Sequence, residues 1–368
     1  DKNAEGVEGM SIQEIIALFH QNEVFSYSLH SIRCSKEDNR WIVLIEDDES
    51  KFVIKIASNN FTAVERVIGW PDIISEYKKL GCYSPKMYKS IYGNYAETVL
   101  FQERFCVVWE EEYSQFRICT SFDKAAYVGE DGKYTYHDEV LAFIAKVGEK
   151  HFNHFQYPSG YVRLAPFGEG ETEDEVIECV ETFEKLVAKK APAFFAKWKQ
   201  IRALFEINMR KLSEIYDKLP TSVFQADASQ NNLLLDEDGH FVGLIDYNLA
   251  GKDVVLNQFL SVILFGYSYQ RKRLKKLHPL AELNRYTQDS LIQILLHTLK
   301  QLRRYYTFNE LEAKAAPFLF KYIFCVGYKQ IQALQECSDD PEKLTQLFDF
   351  MESELLREDI DFHSVMLG

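Results

Sequence analysis

Short runs of β-branched and aromatic residues fill the first hundred positions, and long amphipathic helical patterns fill most of the remainder. Runs at residues 25–33, 41–46 and 52–56 are separated by polar turns at 35–39 and 47–50, which predicts a three-strand meander. Residues 60–80 are helical in character, but Pro71 interrupts them and places a break at Gly69-Trp70. Two further strands are expected near 87–91 and 100–109. After Glu112 the apolar period becomes helical, at 137–155, 173–189, 194–217, 254–266, 287–305, 308–334 and 341–356. One β-like island, 222–246, interrupts these helices. The layout is α+β and two-lobed, with a small β-rich N-terminal lobe over residues 1–111 and a large helical C-terminal lobe over 112–368.

A chain of 368 residues is long for one core and suits two lobes around a cleft. Its cysteines, Cys34, Cys82, Cys106, Cys119, Cys179, Cys325 and Cys337, are odd in number and form no C-x-x-C pair. That argues against a disulfide framework or a structural zinc site and for a reducing cytoplasm. No opening segment joins basic residues to an apolar run, so no signal peptide is expected, and residues 1–9 read as a polar leader. No apolar stretch is long enough to span a bilayer, so no membrane partner is expected. A net charge of −14 disfavours nucleic acid. It would suit a cationic small molecule, or serve solubility alone. A monomer or homodimer is expected.

The island carries the chemistry. Residues 233–235 and 241–245 are apolar strands joined by the turn sequence Asp-Glu-Asp-Gly at 236–239. In such a hairpin Asn232, just before the first strand, and Asp246, just after the second, lie side by side at roughly 5 Å. An amide oxygen beside a carboxylate is a hard oxygen pair that suits Mg²⁺. Asp227 stands five residues before Asn232 on the loop that enters the hairpin. Phosphoryl transfer needs a held metal, a held polyphosphate and a carboxylate that orients the attacking hydroxyl. The alternative is an ordinary hairpin whose polar ends face water.

The stretch Gln225-Ala-Asp227-Ala-Ser-Gln-Asn-Asn232, followed after the hairpin by Leu244-Ile-Asp246, resembles the H-x-D-x-x-x-x-N loop and metal-binding Asp of the aminoglycoside phosphotransferase and choline kinase-like family. That family shares the protein-kinase fold. The resemblance implies Asp227 as the catalytic base or hydroxyl-orienting residue, and Asn232 and Asp246 as ligands of Mg²⁺. It implies ATP or GTP as phosphoryl donor. Gln225 replaces the usual His, and its amide can still bond nearby backbone. Asn257 stands where the family often has an Asp that braces the catalytic loop.

The rest of the resemblance lies upstream. Lys55, inside the apolar run 52–57, is similar to the strand Lys of the kinase pattern V-A-I-K and would meet the nucleotide phosphates. The alternative is an edge-strand Lys with its ammonium in water. Its carboxylate partner is expected to be Glu65, with Glu76 as rival. The loop between the first two strands has no glycine, so it is no Gly-rich phosphate cover. Residues 106–112 look like the strand that becomes the hinge, so backbone near Trp109, Glu110 and Glu111 would meet the adenine. The side chains of Glu110, Glu111 and Glu112 are read as solvated.

The implied activity is a small-molecule kinase that passes the γ-phosphoryl group of Mg-ATP or Mg-GTP to a hydroxyl of a small acceptor. An aminoglycoside or amino alcohol would fit, and the family also acts on choline, homoserine, sugars and other alcohols. The alternatives are a catalytically weakened, pseudokinase-like nucleotide-binding module, a nucleotidyl transferase on the same fold, and a helical interaction protein. His151 and His154 stand three apart, but no third ligand accompanies them. No G-x-x-x-x-G-K-[ST] loop and no nucleophile elbow are present. The basic run 270–277 reads as a solvated connector. Tyr267, Tyr269, Tyr305, Tyr306 and Phe320 are available to stack on an acceptor but read mostly as core. Glu358, Asp359 and Asp361 read as a charged tail rather than a site for ammonium groups.

Overall fold

The expected meander forms: β1 (Ser26–Arg33), β2 (Asn39–Glu46) and β3 (Lys51–Ser58) pair antiparallel in sequence. The computed structural model describes residues 9–21, 26–33, 37–46, 49–120, 136–160, 175–263 and 279–368. The polar leader up to residue 8, the acidic stretch 168–174, the run 270–277, Tyr267 and Tyr269 lie outside them. Strand side chains alternate between faces, so Trp41, Val43, Ile45, Ile54 and Ile56 all point one way. They are buried together against Ile12, Ile15 and Ile16 of helix α1 (Ile12–Ala17). Ser11 and Glu14 cap that helix reciprocally.

The strand expected at 100–109 is instead the hairpin β5 (Glu97–Phe101) and β6 (Arg104–Glu112). Its turn residues Gln102 and Glu103 are both left-handed, with φ of 47° and 61°. Neither is a residue that announces such a turn. With β4 (Met87–Tyr88), the sheet runs β1-β2-β3-β6-β4, and β5 lies on β6. The helical stretch breaks at Gly69, as expected, into α2 (Val64–Val67) and α3 (Trp70–Lys79). Pro71 falls in the first turn of α3, where its missing N–H has no intrahelical acceptor to lose.

The island forms its hairpin, β9 (Leu233–Leu235) against β10 (Phe241–Leu244), with β7 (Arg117–Ile118) alongside β9. The Tyr83 backbone bonds to both sides of Gly243, to the Val242 carbonyl at 2.8 Å and from the Leu244 N–H at 3.0 Å. A Cβ at Gly243 would lie 2.1 Å from the Tyr83 oxygen, so only glycine fits.

Internal contacts divide the chain into two compact units, Asp1–Thr120 with Ser229–Ala250, and Ser121–Ala228 with Gly251–Gly368. The second unit contains α4 (His137–Lys150), α5 (Glu175–Lys190), α6 (Phe195–Tyr216) and a helix α7 described over 255–263. It continues with α8 (Pro279–Glu282), α9 (Arg285–Leu302), α10 (Glu310–Phe324), α11 (Tyr328–Cys337), α12 (Pro341–Leu356) and α13 (Phe362–Leu367). Trp198, Phe205 and Phe183 are fully buried in it, with Phe183 and Trp198 ring centres 4.8 Å apart. Helix α4 stops at Lys150 because His151 turns left-handed. The helix expected over 308–334 is two helices, with extended Gly327 as the N-cap of α11. An unanticipated strand, β11 (Gly251–Val254), pairs antiparallel with β8 (Thr221–Phe224). Among the described residues no helix is long and apolar enough to cross a membrane, and six cysteines are buried free thiols.

Candidate active site

Period-two alternation that sends the apolar residues of β2 and β3 toward α1 sends Arg40 and Lys55 to the opposite face. Lys55 pairs with Trp109 across the β3–β6 ladder and with Ile42 across the β2–β3 ladder. One period along β6, Glu111 reaches the same face, and its Oε2 lies 2.9 Å from Lys55 Nζ. The Trp109 indole N–H donates to Glu111 Oε1 at 2.7 Å, and Trp109 itself is held edge-on against Trp70. The Glu111 carboxylate is thus fixed from one side and faces the ammonium from the other. Burial of Lys55 works against its charge, but the carboxylates of Glu111 and then Asp246 outweigh it and raise its pKa, with Arg40 opposing them weakly.

Lys55 therefore takes its carboxylate from Glu111 and not from Glu65. Glu65 is exposed on the four-residue helix α2 and is not among the charges acting on Lys55. The rival Glu76 pairs with Lys79 at 2.7 Å. The glutamates of β6 are not solvated either. Glu110 is buried on the α1 face, with its Oε2 2.5 Å from His20 Nε2. Glu112 accepts from the Tyr83 hydroxyl at 3.1 Å and from Gln115.

At the hairpin end, Leu244 pairs with Leu233, and the Ile245 N–H donates to the Asn232 carbonyl at 3.0 Å. Asn232 and Asp246 thus leave adjacent strand ends. Asp246 has a left-handed φ of 61°, a conformation Asp tolerates better than most residues, and its Oδ1 accepts the Asn248 N–H. Its side chain is 30% exposed and its Oδ2 lies 3.6 Å from Arg40 Nη1. Among the described residues no cluster of three His, Cys, Asp or Glu side chains is placed to hold a metal. One carboxylate and one amide fit a cation that completes its shell with water and phosphate oxygens, as Mg²⁺ does.

Asp227 belongs to the second unit. Gln225, almost fully buried, accepts the Asp227 N–H on its Oε1 at 2.9 Å, and Ala226 between them is left-handed with φ of 68°. The amide does bond nearby backbone, as its position in the loop implied. Behind this turn β8 is fixed by β11, with Phe224 opposite Gly251. The buried Asp253 carboxylate accepts from the Val254 N–H at 2.7 Å, from Asn257 Nδ2 at 3.0 and 3.2 Å, and from Gln258 Nε2 at 2.6 Å. A carboxylate, that of Asp253 on β11, thus bonds the Asn257 amide. Arg40 carries no motif and was not foreseen. The acidic tail is engaged: Asp359 pairs with Arg357 at 2.8 Å, and Asp361 caps α13.

These features define an α+β fold of the protein-kinase type, with a strand Lys, a hairpin that carries an Asn and an Asp at its open end, and a helical second unit. Known structures bear out the resemblance at the level of fold. An amicoumacin kinase in complex with AMP-PNP and Ca²⁺ superposes with a TM-score of 0.50 at 14% identity, covering 96% of each chain. A microcompartment-associated aminopropanol kinase gives 0.50 at 13% identity, covering 97% of this chain and 98% of its own. No protein-family model and no curated protein matches the sequence.

Proposed function

We propose that the protein is a small-molecule kinase that transfers the γ-phosphoryl group of Mg-ATP or Mg-GTP to an alcohol. The observation that carries this reading is the charge cluster on one sheet face: Lys55 held by Glu111, with Asp246 acting on the same ammonium from the hairpin end. A strand cation fixed beside a partly exposed carboxylate is what a polyphosphate and its counter-cation need. The fold, shared with an amicoumacin kinase and an aminopropanol kinase, supports it.

In this reading Lys55 binds phosphate oxygens and Glu111 aims it. Asn232 and Asp246 would hold Mg²⁺, which when bound neutralises charge on the transferring phosphoryl group. Glu110 and Glu111 have strand partners on both sides of β6, Ile54 and Val53 of β3 and Tyr88 and Met87 of β4, which corrects the expectation for these two and would leave backbone at Trp109 for the base. Glu65 would have no phosphate role through Lys55. Asp227, fixed through its N–H by Gln225, would accept the hydrogen bond of the acceptor hydroxyl and receive its proton. The charge of −14 favours a cationic acceptor such as an amino alcohol or aminoglycoside. Buried free thiols suit a reducing cytoplasm.

Calorimetry with Mg-ATP and Mg-GTP, then ADP release across a panel of amino alcohols, aminoglycosides and simple sugars, tests the proposal. Binding together with ADP release on one acceptor supports it. Absence of binding by both nucleotides at millimolar concentration would sink it. Pyrophosphate in place of ADP would point to nucleotidyl transfer, and binding with no transfer to any acceptor would point to a nucleotide-binding module.

A further inference from the structure

We infer that Arg40 is a second phosphate-binding residue, which holds the Asp246 carboxylate while no nucleotide is bound and passes to the polyphosphate when a divalent cation takes that carboxylate. The inference rests on the kinase reading above. It begins with a deficit: residues 34–38, between β1 and β2, are Cys-Ser-Lys-Glu-Asp. With no glycine, this sequence is not that of a Gly-rich phosphate loop. A second side-chain cation beside Lys55 would serve a polyphosphate on this face.

Arg40 stands where that cation would serve. It lies at the start of β2, immediately after the glycine-free loop, and two residues before Ile42, which pairs with Lys55. Arg40 and Lys55 therefore share one face of adjacent strands. Both are in the field of Asp246: Arg40 Nη1 is 3.6 Å from its Oδ2, and the same carboxylate supports the charge of Lys55.

The guanidinium is also preorganised. Its Nε and Nη2 donate to the two oxygens of Asp38 at 3.0 and 2.9 Å. Asp38 in turn accepts from Asn59 Nδ2 at 3.0 Å, and Asn59 Oδ1 is fixed by the Phe61 and Thr62 N–H groups. The Phe61 ring lies 5.3 Å from the guanidinium carbon. This clamp holds one edge of the fork and directs Nη1 at Asp246. A distance of 3.6 Å is an ion-pair contact, longer than a hydrogen bond, so it can be exchanged without breaking the clamp. The Arg40 side chain is 24% exposed. A planar fork held on one edge suits phosphate, and little further entropy is lost on binding.

The assignment has a signature of opposite signs. In the nucleotide-free protein Arg40 competes with a divalent cation for Asp246, whereas in the nucleotide complex it helps to hold the phosphates. Arg40→Gln is therefore expected to tighten Mn²⁺ binding by the nucleotide-free protein several-fold, read from the paramagnetic signal of free Mn²⁺. It is expected to weaken Mg-ATP binding about tenfold by calorimetry, the order of one charge-assisted hydrogen bond. Adenosine affinity should stay unchanged. Unaltered Mg-ATP affinity in a folded Arg40→Gln protein overturns the inference, and so does parallel weakening of Mn²⁺ and Mg-ATP, which would make Arg40 a mere support of the hairpin end. If Arg40→Gln does not fold, Arg40→Lys carries the test, since it keeps the charge and loses the fork. A partial loss of Mg-ATP affinity then supports the assignment, and no loss overturns it. Wild-type protein that binds no nucleotide overturns the kinase reading and this inference together, whereas nucleotide binding indifferent to residue 40 overturns this inference alone.

Discussion

The ammonium of Lys55 meets the Glu111 carboxylate at 2.9 Å within a single sheet, strand to strand, and Glu111 is itself fixed by the Trp109 indole. A carboxylate so placed acts on a ligand only through the Lys it aims. Lys55→Met should weaken Mg-nucleotide binding about 10- to 100-fold, the worth of a hydrogen bond to a charged group. Glu111→Gln should cost less than that. In the Lys55→Met background Glu111→Gln should cost almost nothing, because nothing remains to aim. Calorimetry on the four proteins measures the coupling. Additive losses would mean that Glu111 acts on the nucleotide by itself.

If Asp227 orients the acceptor hydroxyl as proposed, its loss separates binding from chemistry. Gln225 fixes its backbone N–H, so Asp227→Asn should leave the turn intact while removing charge and basicity. General-base help is worth ~10²–10⁴ in rate, and turnover on an identified acceptor should fall by about that factor. Nucleotide affinity should change much less, since the phosphates are assigned to other residues. A loss confined to kcat marks an interaction made at the transition state. Full transfer activity in Asp227→Asn would remove this residue from the chemistry.

Asn257 and Asp253 make a paired prediction about stability. Asn257 Nδ2 donates to both Asp253 oxygens inside a fully buried site. Asn257→Asp, which would restore the residue common in the resembled family, places two carboxylates at hydrogen-bonding distance and forces one to hold a proton. The cost should be about 3 kcal/mol or more, comparable to breaking a buried charged pair, with a clear fall in melting temperature. Exchanging both, Asp253→Asn with Asn257→Asp, should recover much of that loss, because one carboxylate and one amide again face each other. A double variant no more stable than Asn257→Asp alone would contradict this account.

The contrast between these residues shows what a sequence makes legible. The hairpin at 233–244 could be read because its turn sequence and its apolar strands are contiguous, and the adjacency of Asn232 and Asp246 comes from strand geometry alone. The break at Gly69-Trp70 was marked by Pro71 in the same way. The partner of Lys55 was not legible, because it depends on the register of β3 with β6, two strands far apart in sequence. The turn at Gln102 and Glu103 was hidden because neither residue advertises positive φ. Arg40 gave no sign for a related reason: its meaning comes from Asp38, Asn59 and Asp246, which only the folded sheet assembles.

A last prediction concerns pH. Glu312 is fully buried in the first turn of α10. Its Oε1 accepts from the Tyr306 hydroxyl at 2.7 Å, and its Oε2 from the Asn309 N–H at 3.0 Å. Burial raises its pKa, the two hydrogen bonds oppose this, and the nearby charge of Glu149 adds to the rise, so it is pushed up to about 7 from an ordinary 4.5. The folded state therefore holds this proton more tightly than the unfolded chain does. The stabilisation is fully present below about pH 4.5 and is lost as pH rises through 7. The span corresponds to about 3 kcal/mol. Glu312→Gln imitates the protonated form at every pH. It should carry a roughly constant offset from the reshaped cap, but none of this pH dependence. Melting temperatures of the two proteins from about pH 4.5 to about 8 should therefore diverge, with the wild type losing ground to the Gln variant as pH rises and most steeply between about 5 and about 7. Parallel melting curves across that range would show that Glu312 is ionised throughout, and that Tyr306 and Asn309 hold it as a carboxylate.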